Sequence, residues 1–179
     1  MYKIFISLTL IALIAGCSSG NDDQNDVDIF DGTYDNVVFN KDSFSGFEFK
    51  FIKEYDVSEL PDALEAHYGF FKRREFELRF YPSNEIAKAS GVFFADEVTG
   101  KDAIIKKADS SWKEGIKDRM TSGVFGNKGN SPKYMDYVIL GNMIVLCPIE
   151  ISSSEIGAGE PLDNCRLLLS NLPEINQIN

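Results

Sequence analysis

Histidine is almost absent from this sequence, because His67 is the only one among 179 residues. A histidine-rich metal site is therefore excluded, and a catalytic triad that uses histidine as its base has a single candidate. No Gly-x-Ser-x-Gly motif marks a nucleophilic serine. We expect His67 to lie on the surface of a helix, and we predict no catalytic residue, no metal ligands and no cofactor.

Basic residues are also scarce: 18 Lys and Arg stand against 28 Asp and Glu, which gives a formal net charge of −10. Nucleic-acid binding needs a basic surface, so nucleic acid is excluded as a partner. Two basic clusters stand out from this acidic background. They are candidate contacts for an anion or a partner protein, and the alternative is a solvated face with salt bridges. The first comprises Lys72, Arg73 and Arg74, and the second comprises Lys106, Lys107, Lys113, Lys117 and Arg119.

Cysteine occurs three times, and Cys17 near the N-terminus is separated from Cys147 and Cys165 by most of the chain. Two cysteines and a distant histidine do not make a zinc site. In an oxidising compartment Cys147 and Cys165 would form a disulfide. Such a bridge closes a loop of about 18 residues and stabilises the fold by about 3 kcal/mol. Two separate buried thiols are the alternative.

Long apolar runs are confined to the N-terminus, where Lys3 precedes the uncharged segment Ile4–Ile14. At about eleven residues this segment is too short to span a bilayer core of about 30 Å, but it fits the apolar region of a signal peptide. It ends in the sequence Ile14-Ala15-Gly16-Cys17. The whole pattern resembles the signal of bacterial lipoproteins, in which an aliphatic residue and two small residues precede an invariant cysteine. An ordinary cleaved signal with a chance cysteine is the alternative.

The resemblance implies that residues 1–16 are removed and that Cys17 carries the lipid. The protein would then be extracytoplasmic, anchored to the bacterial membrane on the periplasmic or cell-surface side. Residues 17–28 would form the lipidated N-terminus and a flexible acidic tether, since 18–28 are polar and contain no aromatic residue. Fully extended, this tether would reach about 35–40 Å.

Residues 29–179 are predicted to form one globular domain. Alternating or continuous apolar patterns predict strands. Gly141-Asn142 is a good two-residue turn between the last two of them. The predicted strands are Tyr34–Phe39, Phe47–Ile52, Glu75–Tyr81, Tyr134–Leu140 and Met143–Cys147.

Helical spacing of apolar residues predicts three helices. The first begins near Ser58 and ends at Gly69, and the last covers Leu162–Leu172. The second runs from Ser83 to about Val98, with an inward stripe of Ile86, Ala89, Ser90 and Phe93. Together the elements predict an α+β fold with a mixed or antiparallel sheet of about four to five strands and helices mainly on one face.

Three further patterns have weaker functional interpretations. Ser110 and Lys113 have the Ser-x-x-Lys spacing of a serine nucleophile, but the partner motifs of penicillin-binding enzymes are missing. The glycines between 123 and 129, within a predicted loop from Thr121 to Lys133, lack the flanking strand and helix of a phosphate-binding loop. Trp112 and Phe125 could form an exposed aromatic patch, but Trp112 is predicted to fill the edge of the core instead.

These observations favour a lipid-anchored protein of the cell envelope whose domain is non-catalytic and binds a partner protein or a small ligand. A small envelope hydrolase and a structural subunit of an envelope complex are the alternatives. The predicted contacts are the membrane, through the lipid, and the unidentified partner or ligand.

Overall fold

The computed structural model describes residues 28–122, 130–149 and 160–177. The predicted signal peptide, residues 17–27 of the predicted tether and the glycine-rich segment 123–129 lie outside these residues. Within the described part, no helix is long and apolar enough to cross a membrane.

The fold is built on a sheet of five strands: β1 (Lys50–Glu54), β2 (Glu65–Phe71), β3 (Arg74–Phe80), β6 (Tyr134–Leu140) and β7 (Met143–Pro148). Their order in the sheet is β1-β2-β3-β7-β6, and all neighbours are antiparallel. A second, two-stranded sheet pairs β4 (Met120–Ser122) with β5 (Asn130–Pro132). The prediction of an α+β domain with a mixed or antiparallel sheet of about four to five strands is confirmed, and the sheet is antiparallel.

The helices pack against both faces of this sheet. A continuous helical segment comprises α1 (Asn84–Ile86), a π-helical turn (Ala87–Gly91) and α2 (Val92–Asp96). Near the C-terminus lie α3 (Pro161–Leu169) and α4 (Pro173–Asn176), and two 3₁₀ turns occur at Lys41–Phe44 and Ile116–Arg119. Buried Met143, Val145 and Cys147 of β7 face the core beneath α3, whereas Ile144 and Leu146 face the segment 84–96.

Cys147 at the end of β7 and Cys165 in α3 form a disulfide, with their Cα atoms 5.4 Å apart. The bridge was predicted from the sequence and joins the predicted elements. It fixes α3 to the most buried strand of the sheet, in which every residue is buried.

The predicted helix between Ser58 and Gly69 is wrong, because residues 65–71 form the strand β2. This strand pairs with β1 on one side and β3 on the other, and these pairs outweigh a weak local helical pattern. Gly69 lies within the strand, where a Cβ atom would come 2.5 Å from the Phe49 ring.

The predicted strand Tyr34–Phe39 is also wrong, because the chain forms turns and an unpaired extended segment there. The reason lies in the hairpin turn between β6 and β7. The Asn142 side chain accepts a hydrogen bond from the Phe39 amide at 2.7 Å and donates to the Phe39 carbonyl at 3.1 Å. These bonds satisfy the backbone groups that a neighbouring strand would otherwise pair with.

The helix predicted from Ser83 to Val98 is present, but its predicted inward stripe is wrong. Phe93 is 60% exposed, whereas the buried positions include Ala87, Gly91 and Ala95. The π-helical turn adds one residue to the helical repeat and shifts the inward face. It brings the Gly91 backbone so close to the sheet that a Cβ atom would lie 2.6 Å from the Tyr81 hydroxyl.

The loop predicted from Thr121 to Lys133 is wrong at both of its ends. Thr121 pairs with Ser131 in the two-stranded sheet, and on either side Met120 pairs with Pro132 and Ser122 with Asn130. The sequence predicts a loop here because these short strands contain too few apolar residues to show an alternating pattern.

Candidate functional site

Phe76, Leu78 and Phe80 of β3 face the core beneath α3, and the opposite face of this strand carries a fully buried cluster of charges. Glu77 and Arg79 are two residues apart and therefore project to the same face of the strand. The chain between α2 and β4 covers this face and adds Trp112 and Arg119. All four side chains are 2% exposed or less.

Glu77 accepts hydrogen bonds from both arginines. Its Oε1 receives Arg79 Nε at 2.8 Å and Arg119 Nη2 at 3.0 Å, and its Oε2 receives Arg119 Nε at 2.7 Å. Paired nitrogen–oxygen bonds between Arg119 and Glu77 form the bidentate arrangement that gives the strongest ion pairs. Glu77 is therefore the central acceptor of the cluster.

Trp112 forms the aromatic wall of the cluster. The Arg119 guanidinium carbon lies 4.3 Å from the centre of the Trp112 ring, and that of Arg79 lies 5.1 Å away. The indole nitrogen donates to the Asp56 carbonyl at 3.2 Å. The prediction that Trp112 fills the core is confirmed, and the cation–π contacts explain why an indole fits between two cations.

Burial and charge act in opposite directions on these groups. Burial raises the pKa of the Glu77 carboxyl, but the charges and hydrogen bonds of Arg119 and Arg79 outweigh it, and the pKa is lowered overall. For Arg119, burial lowers the pKa, but the Glu77 charge outweighs it, so the pKa is raised overall. Both groups stay ionised at neutral pH. A carboxylate that is buried, ionised and bonded to two arginines is suited to stabilising the fold rather than to transferring protons.

A different surface lies at the end of the sheet where β2 turns into β3. Phe70 and Tyr68 are half-buried neighbours with ring centres 5.5 Å apart, and the Lys133 ammonium lies 5.2 Å from the Tyr68 ring. Lys50 pairs with Phe70 across β1 and β2 and is exposed. We call this the basic–aromatic surface, and it comprises Lys50, Tyr68, Phe70, Lys72, Arg73 and Lys133.

The turn in this surface has an unusual backbone. Lys72 and Arg73 have φ angles of 46° and 65°, which is the left-handed region for both. Asn-Gly and Asp-Gly are the common pairs in such a hairpin turn, since a Cβ atom clashes in this conformation. Both side chains are exposed. The sequence thus places two basic side chains where other residues would fit the backbone better.

The two predicted basic clusters have different positions in the structure. Lys72, Arg73 and Arg74 form the hairpin turn and the start of β3. Arg119 does not reach the surface, because it is bonded to Glu77 in the core. The remaining four lysines are exposed, and none forms an ion pair within the described residues: Lys106, Lys107, Lys113 and Lys117.

In the Ser-x-x-Lys pair, the Ser110 hydroxyl is bonded to groups other than Lys113. The Ser110 hydroxyl lies 2.7 Å from the Trp112 carbonyl and 3.0 Å from Glu97 Oε1, while Lys113 is exposed. The predicted position of His67 on a helix surface is wrong. His67 lies in β2, is 1% exposed and packs between the rings of Phe51 and Phe80.

His67 Nε2 is 2.8 Å from Glu65 Oε2, so the one histidine has a local partner. Over the residues that the structure describes, no three His, Cys, Asp or Glu side chains are grouped as metal ligands.

The sequence patterns do not identify the buried cluster, nor four of the six residues of the basic–aromatic surface. Glu77 and Arg79 stand at polar positions of an alternating strand, a pattern that normally marks the solvent face. The sequence predicts a helix around Tyr68 and a loop that ends at Lys133. One feature of the sequence does point to the cluster. Glu77 and Arg79 are two residues apart in a predicted strand, so they project to the same face and can form an ion pair.

Comparison with known proteins gives one match. The model of a family described as a family of unknown function, DUF6810, matches residues 41–174. No curated protein and no solved structure matches the chain.

Proposed function

This chain belongs to a family of unknown function, DUF6810, and we propose that it is a lipid-anchored protein of the cell envelope that binds a partner protein without catalysing a reaction. The partner would offer acidic side chains to the basic–aromatic surface. The observation that carries the proposal is the left-handed turn formed by Lys72 and Arg73.

Strain at an exposed turn supports a binding role. A left-handed residue with a side chain costs about 1–2 kcal/mol, and the hairpin itself would be better served by Asn-Gly. Strained backbone is concentrated at binding and active sites, where it is part of the function. The strained turn presents two exposed cations, and the Lys72 ammonium lies 5.1 Å from the centre of the Phe71 ring.

The composition of the surface supports a protein as the partner. Aromatic and arginine side chains are enriched at protein interfaces, and Lys50, Lys72 and Arg73 add positive charge to an otherwise acidic protein. Glu75, which is salt-bridged to Lys133, offsets only one of these charges. An acidic patch would be attracted to this end of the sheet and repelled elsewhere, which favours one orientation of binding.

The envelope location is supported by two independent features. The sequence Ile14-Ala15-Gly16-Cys17 follows a short apolar run in the manner of a lipoprotein signal. The disulfide between Cys147 and Cys165 is of the kind that persists in oxidising compartments. At the start of the described chain, Ile29 is buried and Asp28 pairs with Arg166 of α3 at 2.9 Å, so the tether would leave the domain beside α3.

Replacing Cys17 by alanine is expected to abolish lipidation, because the thiol is the group that receives the diacylglycerol in the resembled signal class. The full chain would be expressed in its host, and its mass and its partition into a detergent phase would be measured. Ser18→Ala, at the neighbouring position, is the matched control and should remain acylated. Acylation that persists in Cys17→Ala would disprove the anchor.

Replacing Lys72 by asparagine and Arg73 by glycine is expected to separate binding from stability. The free energy of unfolding should rise by about 1–2 kcal/mol, because the strain is relieved. Partner capture should fall by at least about tenfold, because two charges are lost from the contact. Capture would be measured in the intact envelope with a photocrosslinking phenylalanine analogue at position 70.

Two controls make this experiment specific. Lys106→Gln with Lys107→Gln removes the same charge from another exposed turn and should leave crosslinking unchanged. A crosslinking residue at Leu64, which is 59% exposed at the other end of β2, should capture no partner. Crosslinking that is equal in the Asn-Gly variant and the unmodified chain, or insensitive to salt, would refute the proposed contact.

A further inference from the structure

The buried cluster contains more donors than acceptors. In the part of the chain that the structure describes, Arg79 Nη1, Arg79 Nη2 and Arg119 Nη1 are inaccessible to solvent and have no hydrogen-bond partner. The same holds for the hydroxyls of Tyr81 and Tyr134. Buried polar groups in folded proteins nearly always have a partner, so this many unpaired atoms in one cluster indicates a missing acceptor.

The cluster also carries an uncompensated charge. Among the described residues, two guanidinium groups and one carboxylate, all fully buried, leave the cluster with an excess of one positive charge. An unpaired buried ion is costly, because the interior does not replace the hydration that it loses. Asp118, on the chain beside Arg119, is engaged with the Tyr55 hydroxyl at 2.9 Å and Lys53 at 3.2 Å.

The tyrosines do not supply the missing negative charge. Burial is the main cause that raises the pKa of Tyr81, and it raises the pKa of Tyr134 well above the ordinary value. Both hydroxyls therefore remain neutral at physiological pH and act as hydrogen-bond donors. A water molecule could accept from the guanidinium nitrogens, but it would leave the charge in place.

Arg79 has the geometry of an anion site. Its Nε donates to Glu77, and neither Nη1 nor Nη2 forms a hydrogen bond of regular geometry with any described residue, although Arg79 lies close enough to the Tyr81 hydroxyl to oppose the rise in its pKa. The two Nη atoms form a fork, and such a fork binds one anion with two parallel hydrogen bonds. Tyr81 is two residues further along, on the same face of the chain, and its hydroxyl lies beneath Gly91.

We propose that a small monovalent inorganic anion of the halide class binds in the interior, held by the Arg79 fork with the Tyr81 hydroxyl as a third donor. The anion neutralises the cluster and accepts the unpaired hydrogen bonds. Because the site is buried, it is a structural anion that enters with folding or through local opening of the cover. This site is independent of the proposed partner surface.

Anomalous diffraction from the full chain crystallised in bromide tests the site directly. A bromide peak within hydrogen-bond distance of Arg79 Nη1 or Nη2 is the expected result. A water molecule at that place, or a carboxylate of the chain itself, would overturn the proposal. This measurement uses the unmodified protein and does not depend on whether any variant folds.

Thermal unfolding gives a second test in solution. The midpoint should rise by about 4 °C for each tenfold increase in chloride or bromide above the dissociation constant, at ionic strength held constant with gluconate, which is too large for the interior. Arg79→Met removes the fork and leaves Glu77 paired with Arg119, so it should abolish the dependence. Tyr81→Phe should weaken the apparent affinity several-fold.

The control is Arg166→Met, which removes an arginine that pairs with Asp28 at the surface. This variant should keep the full chloride dependence. Equal midpoints in chloride and gluconate for the unmodified chain would overturn the proposal, as would a chloride dependence that is unchanged in Arg79→Met.

Discussion

Replacing Glu77 by glutamine is expected to lower the free energy of unfolding by about 3–5 kcal/mol, the range for breaking a buried ion pair by removing one partner. Glutamine has almost the same shape but leaves Arg79 and Arg119 in the core without a carboxylate. Urea unfolding at neutral pH measures the effect. The matched control is Glu75→Gln, two residues earlier on β3 and one third exposed. There we expect a loss below about 1 kcal/mol.

The effect of Glu77→Gln should depend on pH in one direction. The folded state lowers the pKa of Glu77, because the two guanidinium groups outweigh the burial. Its contribution is therefore complete above the pKa of the unfolded chain and is lost as the pH falls through the folded pKa. The difference in the free energy of unfolding between Glu77→Gln and the unmodified chain should therefore become smaller at acidic pH. A variant that loses under about 1 kcal/mol at neutral pH would contradict the central role of Glu77.

Replacing Cys147 and Cys165 by alanine is expected to cost about 3 kcal/mol or somewhat more. The bridge closes a loop with a sequence separation of 18 and joins α3 to β7, both sulfur-bearing side chains being fully buried. For a chain of this size the loss corresponds to a fall of about 6–12 °C in the melting midpoint. Urea unfolding and calorimetry of the oxidised protein and the double variant measure it.

The denaturant slope provides a test of the mechanism of this stabilisation. If the bridge acts by restricting the unfolded chain, the variant should expose more surface on unfolding. Its free energy of unfolding should then fall more steeply with urea concentration. The unmodified protein under reducing conditions is the control and should resemble the variant. If the free energies of unfolding of the variant and the oxidised protein differ by less than about 1 kcal/mol, the bridge is not a main source of stability.

The sequence predicts the parts of this fold in which local pattern and tertiary environment agree. The hairpin of β6 and β7 has largely apolar strands around Gly141, and the structure contains it as predicted. The disulfide could be predicted for the same reason, since Cys147 ends one clear element and Cys165 lies in another. Here each local preference is also satisfied in the folded chain.

Elsewhere the packing partners decide, and they are distant in sequence. Leu60, Leu64 and His67 have helical spacing, yet His67 forms part of a strand because β1 and β3 provide pairing edges on both sides. In β3 the alternation predicts one buried face. The other face becomes buried because Trp112 and Arg119 arrive from a segment with little regular structure. Neither partner is visible in the local pattern.

The candidate site was predicted only in part for the same reason. The sequence gives the charge of Lys72 and Arg73, but not the left-handed backbone that makes them notable. It gives Arg119 as a surface cation, because nothing in its neighbourhood points to Glu77. To predict a binding surface from runs of charged residues, one must therefore know which of those residues form ion pairs in the core.

The two outer strands of the sheet bear on how copies of the protein behave together. Both β1 and β6 are interrupted by a register shift, between Phe51 and Lys53 in one and between Tyr134 and Asp136 in the other. Such irregularities disrupt the row of free amides and carbonyls on which another strand would add. The Tyr134 carbonyl also already accepts from the Gly100 amide at 3.1 Å. Neither edge is a template for a second chain, so concentrated protein is expected to stay free of sheet-to-sheet aggregates.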